Sequence, residues 1–135
     1  MKKTLVASLG LITLSLMCLS FTHMTDNKPW VVPDTAKAKK NPVAADASTI
    51  GDGKSLYTLH CASCHGKKGK GDGPKAAQLE TECGDLSASA TQSQSDGSIF
   101  YKIEEGRDDM PSFKKKIADQ DDVWSVVNYV RTLKQ

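Results

Sequence analysis

An all-α domain is the fold class that this 135-residue sequence predicts, and three observations carry the prediction. No stretch alternates apolar and polar residues with period two for long. Apolar residues recur instead at three- and four-residue spacings, and the segments they mark open at capping residues and close at glycine. The first helix begins with Ser48 as N-cap and runs through Ile50, Gly53, Leu56 and Tyr57 toward Cys61. A loop rich in glycine and lysine occupies residues 66–73, and a short helical piece over 74–81 carries a proline in its first turn. Asp96 caps a third helix that contains Ile99, Phe100 and Ile103 and stops at Gly106. The last helix has the clearest signature: Asp119 as cap, Asp121 and Asp122 where the helix dipole favours acids, then Val123, Val126, Val127, Val130 and Leu133.

Ahead of this domain, which takes residues 48–135, lie two segments of different character. Lys2 and Lys3 precede an uncharged run over 4–22 rich in Leu, Val and Ile, so residues 1–22 read as an export signal. The run just reaches bilayer-spanning length and no clean small-x-small site follows it, so a cleaved signal peptide, a retained membrane anchor and a lipoprotein modified at Cys18 stay open, in that order. Residues 23–47 hold Pro29, Pro33 and Pro42 among Ala, Lys and Asp without helical or strand period, and read as a flexible linker with a reach of about 25 Å if the leader is retained. Trp30, Val31 and Val32 interrupt it, either as a packing patch or as an unremarkable triplet in a tail.

The chain has 18 Lys and Arg against 16 Asp and Glu, and without the two leader lysines the charges balance. Balance argues against a nucleic-acid partner, which calls for a basic excess on one surface. The local distribution is uneven: Lys67, Lys68, Lys70 and Lys75 surround the cysteine pair, and Lys114, Lys115 and Lys116 follow Met110. They are either a solvated face or a device that steers an acidic partner.

Cys61-Ala62-Ser63-Cys64-His65 is a C-x-x-C-H box. On one helical turn two thiols can reach the two vinyl groups at one edge of a haem, and the adjacent imidazole then falls beneath the iron, so the pattern points to covalent haem c attachment. Structural zinc needs four ligands and only Cys83 remains; a thioredoxin-like pair belongs beside a strand that the sequence does not contain. The glycines of 66–73 lack the preceding strand and the Gly-Lys-Ser/Thr ending of a phosphate loop, and read as a haem-edge loop. For the iron's sixth position, Met1, Met17, Met24 and His23 lie in the leader or tail, His60 is tied to the Cys61 helix, and Met110 is the only methionine of the domain. It sits in a polar loop that ends at Pro111, poorly placed for a core methionine. Pro74, nine residues after His65, either presents its carbonyl to the second ring nitrogen of His65 or is an ordinary helix-start proline. Cys83 reads as a small buried hydrophobe.

With these residues in place, the chain resembles the class I c-type cytochromes, the monohaem cytochrome c family, over residues 50–133. The motifs occur in order: Gly53-x-x-x-Tyr57, then Cys61-x-x-Cys64-His65-Gly66, then Gly69-x-Gly71-x-Gly73-Pro74, then Ile103-x-x-Gly106-x-x-x-Met110-Pro111-x-Phe113, then Tyr129. The resemblance implies a cytochrome c-like fold of three to five helices around one covalent haem. It also implies a close crossing of the first and last helices at Gly53 near Tyr129, and Met110 as distal ligand. The function so implied is a carrier, not itself catalytic, of single electrons between a donor and an acceptor protein of a respiratory-type chain in the periplasm. Two alternatives are a sensor or enzyme domain in which Met110 leaves the iron, and a subunit of a membrane respiratory complex tethered through residues 4–22.

Overall fold

The computed structural model describes residues 29–135. The leader, Cys18 and the first part of the linker therefore lie outside the described residues, as do Met1, Met17, His23 and Met24. Among the described residues the protein is helical and contains no strand, in agreement with the all-α expectation; the nearest approach is an isolated bridge between Arg107 and Met110.

Among the described residues, three helices of two turns or more carry the fold, and three one-turn helices join them. In chain order they are α1 (Asp34–Lys37), α2 (Ala47–His60), α3 (Ala62–His65), α4 (Ser89–Gln92), α5 (Asp96–Glu105) and α6 (Gln120–Thr132), with a 3-10 turn at Ala76–Gln78. The cap of α2 is Asp46 rather than Ser48. Its carboxylate accepts from the Ser48 and Thr49 backbone N–H groups at 2.9 and 3.0 Å while the Thr49 hydroxyl accepts from the Asp46 N–H, a reciprocal box that Ser48 cannot make. Ser95 caps α5, so Asp96 falls in the first turn instead, and Gly106 ends the helix at φ 67°. Asp119 caps α6 as expected.

The core forms where α2 crosses α6. A methyl on Gly53 would stand 1.9 Å from the Ser125 carbonyl oxygen, so only glycine allows this approach. Further along, the rings of Tyr57 and Tyr129 meet at 5.1 Å between centroids. Phe100 of α5 stacks on Trp124 of α6 at 4.0 Å, and Val123, Val126 and Val127 of α6 are fully buried. Arg131 locks the end of α6 down by donating to Asp96 and to the Gln92 and Gln94 carbonyls.

The segment expected to be a flexible linker is packed against the domain from residue 29 on. Pro33 opens α1; Val32 and Ala36 are buried, and Gly97 of α5 lets the Ala36 and Lys39 carbonyls come so close that a methyl there would lie 2.1 and 2.8 Å from them. Asn128, buried in α6, accepts from the Asn41 side chain at 2.7 Å and donates to the Val43 and Ala44 carbonyls. These anchors are polar or small and carry no hydrophobic period, which is why the residues resemble a linker in sequence yet lie down as a strap in three dimensions.

Candidate functional site

A cavity of about 610 Å³ opens between α2, α3, α5, α6 and the loops joining them. Cys61, Cys64 and His65 line it from one stretch of chain and Met110 from another; Ile99, Ile103, Phe113, Val126 and Val130 add apolar wall. The structure thus brings together four of the five residues singled out from the sequence.

The cysteine box is held in shape by its own backbone. The Cys64 and His65 N–H groups both donate to the Cys61 carbonyl, making the tight turn that puts two thiols and an imidazole side by side. The carbonyls at the end of α3 have no partners within the helix, and the glycine loop supplies them: Lys75 donates to Ser63, Gly73 to Cys64 and Gly71 to His65. Tyr57 donates its hydroxyl to the Gly66 carbonyl at 2.7 Å. Every bond in this set fixes the backbone on either side of His65.

A hydrogen bond from the second ring nitrogen of His65 to the Pro74 carbonyl is not formed in this structure. The Nδ1 atom of His65 is buried and has no hydrogen-bond partner, and Pro74 does not line the cavity. The N–H groups of Gly73 and Lys75, on either side of Pro74, donate to the Cys64 and Ser63 carbonyls and hold this loop along the backbone of α3.

Electrostatics suit neutral ligands. Burial pushes the His65 imidazole below its ordinary pKa, opposed by a backbone hydrogen bond at Cys83, so the ring has a lone pair available for a metal at neutral pH. Burial, and secondarily the neighbouring Cys64, raises the Cys61 thiol to about 12. A site that disfavours the thiolate is poor for a thiolate-bound metal and well suited to an uncharged thioether. Cavity size, apolar walls, paired thiols and a half-buried imidazole therefore fit a covalently bound haem.

Met110 is positioned by a two-residue turn. Arg107 and Met110 exchange backbone hydrogen bonds at 2.8 Å, with Asp108 at φ 50° between them, and Asp109 accepts from the Thr81 N–H at 2.7 Å. The Phe113 N–H donates to the Ile103 carbonyl, so the turn is tied back to α5 as well. Met110 itself is partly buried against the core.

Sequence reasoning assigned no site role to several residues that line the cavity. His60 lines the cavity with its ring 6.0 Å from Phe113, and Trp30, Lys102 and Arg107 line another part of it. Their signals were present but faint: Trp30 is the one aromatic ahead of the domain in the linker, and Arg107 shares the turn of Met110. Cys83 also lines the cavity, half-buried rather than fully buried as the sequence reading had it, with its thiol raised first by burial and then by Cys64.

Residues 48–130 match the family described as cytochrome c oxidase, cbb3-type, subunit III. No curated protein matches the chain. Among solved structures it is similar to the reducing HAO-like protein complex Kustc0457/Kustc0458 of Kuenenia stuttgartiensis, at 30% identity and a TM-score of 0.61 over 70% of this chain and 47% of that one. The chain thus spans about half of that protein. It is similar to the KustC0563 c-type cytochrome at 31% identity and a TM-score of 0.55, over 62% of this chain and 99% of that one. Cytochrome cL of the marine methylotroph Methylophaga aminisulfidivorans shares the fold, with 20% identity and a TM-score of 0.53 over 80% of this chain and 70% of that one. A family match over more than half of the sequence, on a helical fold with the C-x-x-C-H box in its cavity, shows that the chain belongs to this cytochrome c family and is a class I c-type cytochrome, a haem-binding electron carrier.

Proposed function

We propose that the protein holds one haem c, joined through Cys61 and Cys64, with His65 and Met110 as its axial ligands, and that it passes single electrons between a donor and an acceptor protein in the periplasm without catalysing a reaction of its own. The observation that carries this reading is the convergence of these four side chains, from two separate stretches of chain, on one apolar cavity. When bound, the haem supplies a one-electron Fe(III)/Fe(II) couple, and a histidine–methionine pair favours the reduced form and electron transfer. The chain's own part is to hold that pair still. The Arg107–Met110 turn is closed by reciprocal hydrogen bonds, and the backbone around His65 is closed by the glycine loop and Tyr57, so the chain that carries each ligand is braced.

Lys75 and Lys116 stand at the cavity and remain exposed. They are the lysines best placed to steer an acidic partner; Lys70 is paired with Asp85 and Lys114 with Glu105. The leader supports export, and a similar protein named as part of a redox complex supports a protein partner.

The test uses the full chain made in a host able to attach haem. Intact mass should show one added haem, the ferric spectrum the methionine-to-iron charge-transfer band, and the ferrous form should not take up carbon monoxide. Met110→Ala should abolish the band and open the iron to carbon monoxide. Uptake by the parent protein would instead favour a sensing or catalytic domain.

A further inference from the structure

Trp30, Gln94, Lys102 and Arg107 come from three separate pieces of chain and line the same cavity as the cysteine box. The Trp30 ring lies against both cations, 5.3 Å from the Lys102 ammonium and 4.8 Å from the Arg107 guanidinium carbon. Lys102 donates to the neutral amide oxygen of Gln94 at 2.7 Å, while Arg107 pairs with the exposed Asp108 carboxylate at 3.0 Å. Folding has therefore set two like charges together on a partly buried wall. Burial first, then Arg107, depresses the Lys102 pKa, as such crowding demands. Crowded cations on a cavity wall favour a bound anion. A haem is apolar over most of its area and acidic along one edge, where it carries two carboxylates.

The tryptophan is delivered by the strap, and the strap is built to stay. Buried Val32 sits two residues beyond Trp30; Ala36 rests against Gly97, and Asn128 holds the backbone at Val43 and Ala44. The strap itself, residues 29–46, lies ahead of residue 48, where the family match begins.

We propose that Lys102 and Arg107, set by the Trp30 ring, form the binding site for the carboxylate edge of the haem, and that residues 29–46 are the strap that completes it. The inference rests on the haem assignment above. It makes Lys102, Arg107 and Trp30 positioning residues that tune the haem environment from outside the iron's own ligands.

The experiment compares full-length haem-loaded protein with Lys102→Gln, Arg107→Gln and Trp30→Ala variants, reading the midpoint potential and the vibrational band of the haem propionates. Each Gln variant should lower the potential, because a carboxylate stripped of its cation favours the more positive ferric iron, and should shift the propionate band. Trp30→Ala should shift the band in the same sense. Lys54→Gln, on the exposed face of α2 and away from the cavity, should leave both readings unchanged. Haem-loaded Gln variants with the parent's potential and band would overturn the inference and leave the haem assignment intact, whereas a colourless parent protein would sink both. If a Gln variant fails to accumulate, Lys102→Arg and Arg107→Lys decide: the charge is kept and the geometry changed, so the band must move while the potential holds, and an unmoved band again overturns the proposal.

Discussion

Tyr57 shows how one side chain links the fold to the site. It is 1% exposed, its ring packs on Tyr129, and its hydroxyl is spent on the carbonyl of Gly66, the residue after His65. Burial pushes the phenol well above its ordinary pKa, so the hydroxyl stays protonated and keeps donating at any working pH. Replacing it with phenylalanine keeps the ring and strands a buried carbonyl, so Tyr57→Phe should cost about 1–3 kcal/mol, read as a lower midpoint in denaturant melts of the haem-loaded protein. A variant as stable as the parent would show that water replaces the hydroxyl. Its place in the Gly53-x-x-x-Tyr57 pattern was readable from sequence; its hydrogen-bond partner nine residues away was not, because nothing local specifies where a loop carbonyl will lie.

The elements differ in how much of themselves they announce. α6 has its Asp119 cap, acids in its first turn and valines at helical spacing, so its start and its buried face were legible in the sequence. The one-turn helices α1 and α4 have no period to read and exist only because other parts of the chain hold them, as expected for segments too short to be stable alone. The strap is the sharpest case. Asn128→Ala removes the group that bonds Asn41 and the Val43 and Ala44 carbonyls, and should cost about 1–3 kcal/mol. Gly97→Ala should act on the same strap by forcing α1 off α5. In both variants, hydrogen exchange should rise over residues 29–46 while amides of α2 keep their protection. Uniform loss of protection across the chain would show that strap and domain unfold as one unit.

Taken whole, the molecule is a thin shell of helices around a space of about 610 Å³. A domain of this size buries little apolar surface by itself, and its central wall is made to face a cofactor rather than other side chains. The haem-free chain, made where no attachment machinery exists, should therefore lose its near-ultraviolet circular dichroism, bind hydrophobic dyes and melt without a sharp transition, while keeping part of its helical signal. A haem-free chain that melts as cooperatively as the loaded one would mean that the helices pack without the cofactor.

Taken alone, the sequence settled the helical class, the cap of α6 and the Gly106 stop, and pointed to haem at the cysteine box, because caps, dipoles, periodicity and a five-residue motif act over one or two turns. It also marked Met110, by leaving the domain no other methionine. Tertiary structure alone decided that Asp46 and not Ser48 caps α2, and that an apparent linker lies on the domain to bring Trp30 beside Lys102 and Arg107. These are contacts between residues far apart in the chain or choices among equally suitable neighbours, and their energies exist only once the helices have met.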